Sequence, residues 1–571
     1  MSSIDWIVLA LTLIAVISYG VYKSAHEKNL NSYFKSNNSM SWFLILLSIM
    51  GTQASAITFL SAPGQAYTDG MRFVQYYFGL PLAMVVLCIT FVPMYHKLKV
   101  FTAYEFLEQR FDLRTRTLTS VLFLVSRGLS TGISIYAPSI ILSSLLGWNI
   151  YYTNIIMGGL LIVYTISGGA KAVAYTQMQQ LFIVFIGMFL AGYMIVHLLP
   201  DGIGFSDALH VAGKMGKLNI IETKIDVTDS AWWKDKYNIW SGVIGGFFLA
   251  LSYFGTDQSQ VGRYLTAKDI KESRMGLLMN GLVKVPMQFL ILLIGALLFT
   301  FYMMFQSPVF FNQKQLDKVY ASGCEDCVTQ LKKVEAEHDS LCTVGATQTR
   351  LLLAAQKNNA STESIQQDLH TTEKQKAEKR KEAIALIKQA DKTADVNDTN
   401  YIFLYFVVHH LPKGLVGLLI AVIFLAAWGS IAAALNSLCS STIIDLYQRV
   451  WVKNESDTHY YNMSKWVTLF WGIFCIATAM FASQLGSLIE AVNVLGSIFY
   501  GPMLGIFVVA FYLKKIGGKE VFYAALVSQA TVIGVYWADI ISFLWLNVIG
   551  CLVVVVVAKF LQLMSRQTSA R

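Results

Sequence analysis

Stretches of about twenty apolar residues follow one another along most of the chain, the length a helix needs to cross a hydrocarbon core. Backbone N–H and C=O groups meet no water there, so these stretches fold as α-helices that satisfy their own hydrogen bonds. Of 571 residues, 55% are hydrophobic and only 14% charged, where a soluble protein carries about a quarter charged residues. A net charge of +9 does not mark a nucleic-acid binder here, because the basic residues lie between apolar spans and set orientation in the lipid bilayer. Ile4 to Tyr22 is too long for the core of a signal peptide, lacks a basic n-region (Asp5 is acidic) and offers no small-residue cleavage site. It is expected to be the first span.

The expected fold class is all-α: a polytopic membrane protein of about thirteen transmembrane helices. They fall near 4–22, 39–61, 73–95, 118–146, 150–167, 174–199, 239–262, 275–304, 414–445, 464–483, 488–512, 520–537 and 541–563. Every second loop is basic. Lys23, Lys28 and Lys35 follow the first span, and Lys97, Lys99, Arg110, Arg114 and Arg116 the third. Lys171, then Arg263, Lys268, Lys271 and Arg274, then Arg449, Lys453 and Lys465, then Lys514, Lys515 and Lys519 continue the series. The positive-inside rule places these loops in the cytoplasm of a plasma (inner) membrane, the N-terminus outside, and the C-terminus with Arg566 and Arg571 inside. An odd number of spans gives the same result.

Two polar segments then lie outside, 200–238 and 311–400, so the chain divides into 1–310, an insert 311–400, and 401–571. The insert is rich in Lys, Glu, Gln and Ala with Glu and Lys at i,i+4 spacing, which predicts a solvated helical hairpin or a module that contacts another protein. Its three cysteines, Cys324, Cys327 and Cys342, allow one disulfide and a free thiol, and no histidine pair at finger spacing suggests zinc. Cys88, Cys439, Cys475 and Cys551 lie in spans as small hydrophobes. His409 and His410 are expected on an outer loop before Pro412, as surface residues.

Small and polar residues interrupt the second and seventh spans at Gly51-Thr52-Gln53-Ala54-Ser55 and Gly255-Thr256-Asp257-Gln258-Ser259. The two pieces are alike and stand five spans apart, the arrangement of broken helices in transporters built from two inverted repeats. The alternative is coincidence between two small-residue packing faces. Around them, SAITFLSAPGQAYTDG (55–70), TGISIYAPSIIL (131–142), GGAKAVAYTQMQQ (168–180) and AAALNSLCSSTIIDLYQR (432–449) resemble the sodium–solute symporter family. That family includes sugar, proline, iodide, monocarboxylate and vitamin transporters, and the second segment is most similar to the iodide, monocarboxylate and vitamin branch. The resemblance covers nearly all of the chain except the insert. It implies the sodium–leucine transporter fold of two inverted five-helix repeats, with one helix before them and two after.

The resemblance also implies a sodium site, with carbonyls of Gly51, Ala54 and Ala426 and the hydroxyl of Ser430. The neighbouring position, a hydroxyl residue in the family, is Gly429 here, and the family's aspartate on the fifth core helix is Gln177. A hydroxyl restored at position 429 is expected to tighten ion binding if it fits beside Trp428. Implied solute contacts are Gln53, Thr58, Tyr76, Tyr77, Tyr253, Lys284 and Val494, with Gln75 and Asn493 adjacent and Tyr136 from the iodide-type branch. Tyr77 and Ala250 stand where sugar carriers use a glutamate and an asparagine, which argues against a copy of a sugar site.

Ionisable groups within spans are costly and normally face a cavity or a partner. Lys284 is read as a binder of an anionic or hydroxyl-bearing solute, or as a snorkelling lysine near the inner interface. Asp257 is read as a cation partner on the coupling or exit path with Gln177, or as half of a salt bridge, and Arg127 as structural. No HExxH, GxSxG or carboxylate cluster points to an enzyme. The function expected is secondary active transport, a sodium-coupled symport of a small organic solute into the cell. Two alternatives stand beside it: a proton-coupled or uncoupled carrier of the same fold, and a non-transporting sensor that uses the insert.

Overall fold

The computed structural model describes residues 1–24, 39–98, 100–167, 170–222, 230–392 and 394–569. Lys28, Lys35, Lys99, Gly168, Gly169 and Arg571 lie outside them. The described residues are helical with no strand beyond one isolated bridge between Met40 and Ala267. Among the described residues seven helices are long and apolar enough to cross a membrane, and four shorter apolar helices accompany them.

Helix α1 (Ser3–Ser24) packs outside the core on α18 (Leu415–Ser441), where Asp5 accepts the backbone N–H of Gly414 at 2.6 Å. The second span is two helices, α2 (Trp42–Gln53) and α3 (Ala56–Asp69). A helix interrupted by one π-turn follows, α4 (Leu80–Val86) and α5 (Val92–Leu98), then the short α6 (Ala103–Arg110). Next come α7 (Leu113–Leu146), α8 (Ile150–Ser167), α9 (Ala170–His197) and a short outer α10 (Phe205–Lys214). The seventh span is again split, into α11 (Gly246–Thr256) and α12 (Gln258–Tyr264), and α13 (Ile270–Met304) returns across the bundle. The insert holds α14 (Gln313–Tyr320), α15 (Glu325–Lys357) and α16 (Glu363–Ala390). After α17 (Ile402–His410) and α18 come α19 (Asp457–Ala479), α20 (Leu488–Tyr512), α21 (Gly518–Trp537) and α22 (Phe543–Ser569). The halves α2 and α3 sit innermost, enclosed by α9, α13 and α18.

Several helices begin earlier than hydropathy alone places them. Asp112, Asp269 and Ser456 each accept a backbone N–H two or three residues into the first turn, so α7, α13 and α19 start in the polar loops rather than at the first apolar residue. The histidine pair is a correction: His409 and His410 end a helix instead of lying in a loop. His410 packs on Phe301 and Phe406, and His409 stacks on Tyr405, because a ring with one apolar face covers aromatic surface well.

The insert is the expected hairpin, α15 against α16, with its own small apolar core that includes Cys327, Leu331, Leu386 and Ile387. Cys324 and Cys327 form a disulfide and Cys342 stays a buried thiol. Its far end does not float. Asp398 accepts the Phe311 N–H at 2.6 Å and pairs with Arg380, and Asn400 donates to the Gly486 carbonyl at 3.2 Å. At the opposite, basic end, Asp445 is fully buried and receives Arg116 at 2.7 Å, Thr102 at 2.6 Å and Ser441 at 2.8 Å. Removing one partner of such a pair strands the other charge. Asp445→Ala should lower stability by about 3–5 kcal/mol, read by thermal unfolding of the purified protein, while R116M/D445L should recover most of the loss. An unchanged melting temperature for Asp445→Ala would show the pair to be solvated.

Candidate functional site

Both split spans break inside the repeated motif. Gln53 is the last residue of α2, and Ala54 (φ −85°, ψ 81°) leaves the helix. Thr256 is the last of α11, and Asp257 (φ −79°, ψ 116°) is extended before starting α12. The glycines of the motif are there for close packing. A Cβ on Gly51 would stand 2.9 Å from Gln177 Cβ, and one on Gly255 would stand 2.8 Å from Phe91 Cε1.

A broken helix leaves its last carbonyls without intrahelical donors. At the second break three tyrosines take them: Tyr264 donates to the Phe254 carbonyl at 3.0 Å, Tyr95 to Gly255 at 2.7 Å and Tyr104 to Thr256 at 2.9 Å. At the first break Ala54 N–H returns to Met50 at 2.7 Å and Ser55 N–H to Gln53 at 3.1 Å. Among the described residues no donor reaches the carbonyls of Gly51 or Ala54. These two expected ion ligands are therefore free acceptors, and α18 with Ser430 packs against α2. Ser430 donates to the Ala426 carbonyl at 3.0 Å, which leaves its oxygen lone pairs for a cation. The donor set is neutral, hard and all oxygen, as suits sodium.

Gln177 bridges the same two helices. Its amide donates to the Gly429 carbonyl at 3.0 Å and Thr52 Oγ1 at 3.2 Å, and accepts Ser48 Oγ at 2.9 Å. A Cβ on Gly429 would lie 2.3 Å from Gln180 Oε1 and 3.2 Å from Gln177 Cγ. The missing hydroxyl at 429 and the missing acid at 177 are thus one packing arrangement, and the space beside Trp428 expected for an added side chain is filled by glutamine.

Beside the breaks lies a cavity of about 100 Å³ whose walls include Gln53, Thr58, Tyr76, Tyr77, Tyr253 and Asn493, six of the expected solute contacts, and Ala250. The structure adds Arg127 and Tyr500 to it. Arg127 pairs with Asp257 and donates to Tyr500 Oη at 2.9 Å, and Tyr500 donates to Asp257 Oδ2 at 2.9 Å. Asp257 Oδ1 also accepts Ser259 N–H and Oγ. Two intramembrane charges that sequence spacing left unrelated are therefore each other's partner, and Arg127 keeps its buried Nε without a hydrogen bond.

Four expected contacts stand elsewhere. Gln75 is spent on the backbone of Tyr237 at 2.8 Å and Glu222 at 3.2 Å. Tyr136 meets Tyr401, Ser483 and Asp395, whose carboxyl is pushed up to about 7 by burial and by Asp398. Lys284 does not snorkel: it is fully buried, its Nζ finds no hydrogen-bond partner among the described residues and lies 5.7 Å from the Tyr77 ring centre, behind the cavity wall. A vestibule of about 1010 Å³ borders the insert end, lined in part by Asp69, Asn397, Glu490 and Val494. Tyr76 donates to Asn493 at 2.9 Å, on the helix that walls both spaces.

A model of the sodium:solute symporter family matches residues 33–329 and 380–528, omitting most of the insert hairpin. A sodium/sialic acid symporter of Proteus mirabilis is 26% identical over 97% of this chain and 93% of its own. A sodium-coupled monocarboxylate transporter of Xenopus laevis is 22% identical over 88% of this chain and 67% of its own. A solved structure of a Na+-coupled sialic acid symporter, substrate-bound and outward-open, superposes with a TM-score of 0.74 at 23% identity, covering 99% of this chain and 98% of that one.

A Cβ at position 429 meets first the amide end of Gln180, which must swing aside. Gly429→Ser should lower the melting temperature only slightly, by the equivalent of about 1 kcal/mol, and Gln180→Ala added to it should restore most of the loss. A stable single variant would mean that the glutamines yield freely.

Proposed function

The chain belongs to the sodium:solute symporter family, and from that premise we propose that it imports a small carboxylate-bearing solute down a sodium gradient. It is a multi-pass membrane transporter and not an enzyme. The observation that carries sodium coupling is the difference between the two breaks: tyrosines consume the carbonyls of one, while Gly51 and Ala54 at the other stay free beside Ser430. A cation there would tie α2 to α18 in the orientation that shapes the cavity.

Proton coupling is less well served, since Gln177 is neutral and Asp257 is held by Arg127 and Tyr500. A carboxylate is favoured because Arg127 lines the cavity with its Nε still unpartnered, and because the relatives named above carry sialic acid or monocarboxylates. Guanidinium binds carboxylate through paired N–H donors. The Tyr76–Asn493 hydrogen bond acts as the outer gate: about 100 Å³ holds only a small acid, so entry of anything larger requires that bond to open. Basic loops at one end and the disulfide-bearing insert at the other favour an insert outside, with the N-terminus, and a cytoplasmic C-terminus.

The test is uptake into proteoliposomes with an imposed sodium gradient. N-acetylneuraminate, lactate and pyruvate are each compared with their neutral amides. A charge-assisted hydrogen bond is worth about 1.5–3 kcal/mol, so the acid should be favoured about ten- to a hundredfold in kcat/KM. Equal uptake of acid and amide would sink the carboxylate reading. Ser430→Ala should raise the sodium concentration for half-maximal uptake about tenfold, about 1.4 kcal/mol. Uptake indifferent to sodium and rising with acidity would replace sodium by the proton.

A further inference from the structure

Insert and bundle enclose a cleft of about 420 Å³ that is separate from the cavity at the breaks. Four cationic side chains line it, Lys217 from the bundle and Lys374, Lys376 and Arg380 from α16, against one carboxylate, Glu373. Lys376 is matched by Glu373 at 2.8 Å, and Arg380 by Asp398 behind the wall. Two cations on opposite walls have no such match. Lys217 donates to the Thr68 carbonyl, lies 4.6 Å over the Phe299 ring, and meets Asp69 and Glu373 only at longer range. Among the described residues Lys374 has no carboxylate within ion-pair distance, although α16 offers several. The field inside is strong enough to be felt by His338, which also lines the cleft: burial, Lys376 and Arg380 together push its imidazole down to about 3. It therefore adds no charge of its own, but its ring N–H remains a donor.

The cleft is next to the transport route. Thr68 lines both it and the vestibule, and Asn397 and Thr399, the vestibule's wall on the insert side, flank the Asp398 that holds Arg380.

We propose that this cleft is an outer binding site for a small oxyanion, a carboxylate or a phosphate, held between Lys217 and Lys374. The site stands on its own side chains. Only the identification of its occupant with the transported solute rests on the carboxylate reading above.

Radiolabelled inorganic phosphate in equilibrium dialysis with the purified full-length protein tests it. Binding should be saturable, fall as ionic strength rises, and weaken at least tenfold in K217Q/K374Q. Because Lys217 also holds the Thr68 carbonyl, Lys374→Gln alone is the second variant; it lies on the exposed face of α16, should leave the fold intact, and should weaken phosphate several-fold. R127Q/D257N, which strands neither charge of the buried pair, should bind phosphate as before, which separates this site from the transport cavity. Phosphate binding that ignores both lysines, or that vanishes in R127Q/D257N while the protein stays folded, overturns the proposal. Uptake then names the occupant. If Lys374→Gln raises half-saturating external solute at unchanged maximal rate, the transported anion uses the cleft; if phosphate alters the maximal rate of wild type only, a free oxyanion does.

Discussion

A helix broken in mid-membrane releases carbonyls and N–H groups where no water can take them, and the site is organised by how that demand is met. Two solutions appear side by side. At α11–α12 the carbonyls are closed off by Tyr95, Tyr104 and Tyr264, and the extended residue Asp257 caps α12 while neutralising Arg127. At α2–α3 the turn is closed by backbone bonds alone, and among the described residues no donor reaches the carbonyls of Gly51 and Ala54. The first solution fixes geometry. The second leaves acceptors that a mobile cation can complete, so occupancy of the ion site and the shape of the neighbouring cavity become linked. Gln53, the last residue of α2, makes that link short, because it stands in the cavity wall one residue from the break.

Much of this was legible in the sequence. Apolar length set the fold class, and the repeat of Gly-Thr-x-x-Ser located both breaks to within five residues. Six of the ten solute contacts expected from the family resemblance line one cavity. What spacing alone could not give was partnership. Arg127 and Asp257 are 130 residues apart, and nothing local says that two buried charges meet; a rule that intramembrane acids and bases pair with each other would have joined them. Gln75 and Tyr136 illustrate the converse, where a position next to a site is taken up by neighbouring backbone and side chains. A buried side chain is claimed by whichever backbone or side chain it reaches first. The tyrosine caps had no sequence signal at all, since a tyrosine in an apolar run reads as an interfacial or core residue.

The ion site turns on one coupled substitution. Read separately, Gly429 and Gln177 look like two losses, a hydroxyl and a carboxylate. In space they are one exchange: an uncharged amide spans from Ser48 and Thr52 to the Gly429 carbonyl, and glycine at 429 is what makes room for Gln177 and Gln180 together. An acid at 177 would place a negative charge close to the ion ligands and could not donate to the Gly429 carbonyl. The amide instead cross-links α2 and α18 whether or not a cation is bound. The expected ligand set, carbonyls and the single Ser430 hydroxyl, has no formal charge, so ion affinity at such a site would rest on dipoles. A carrier built this way should respond to the sodium gradient through one neutral site, with Gln177 supplying the rigidity that a second charged ligand would otherwise bring.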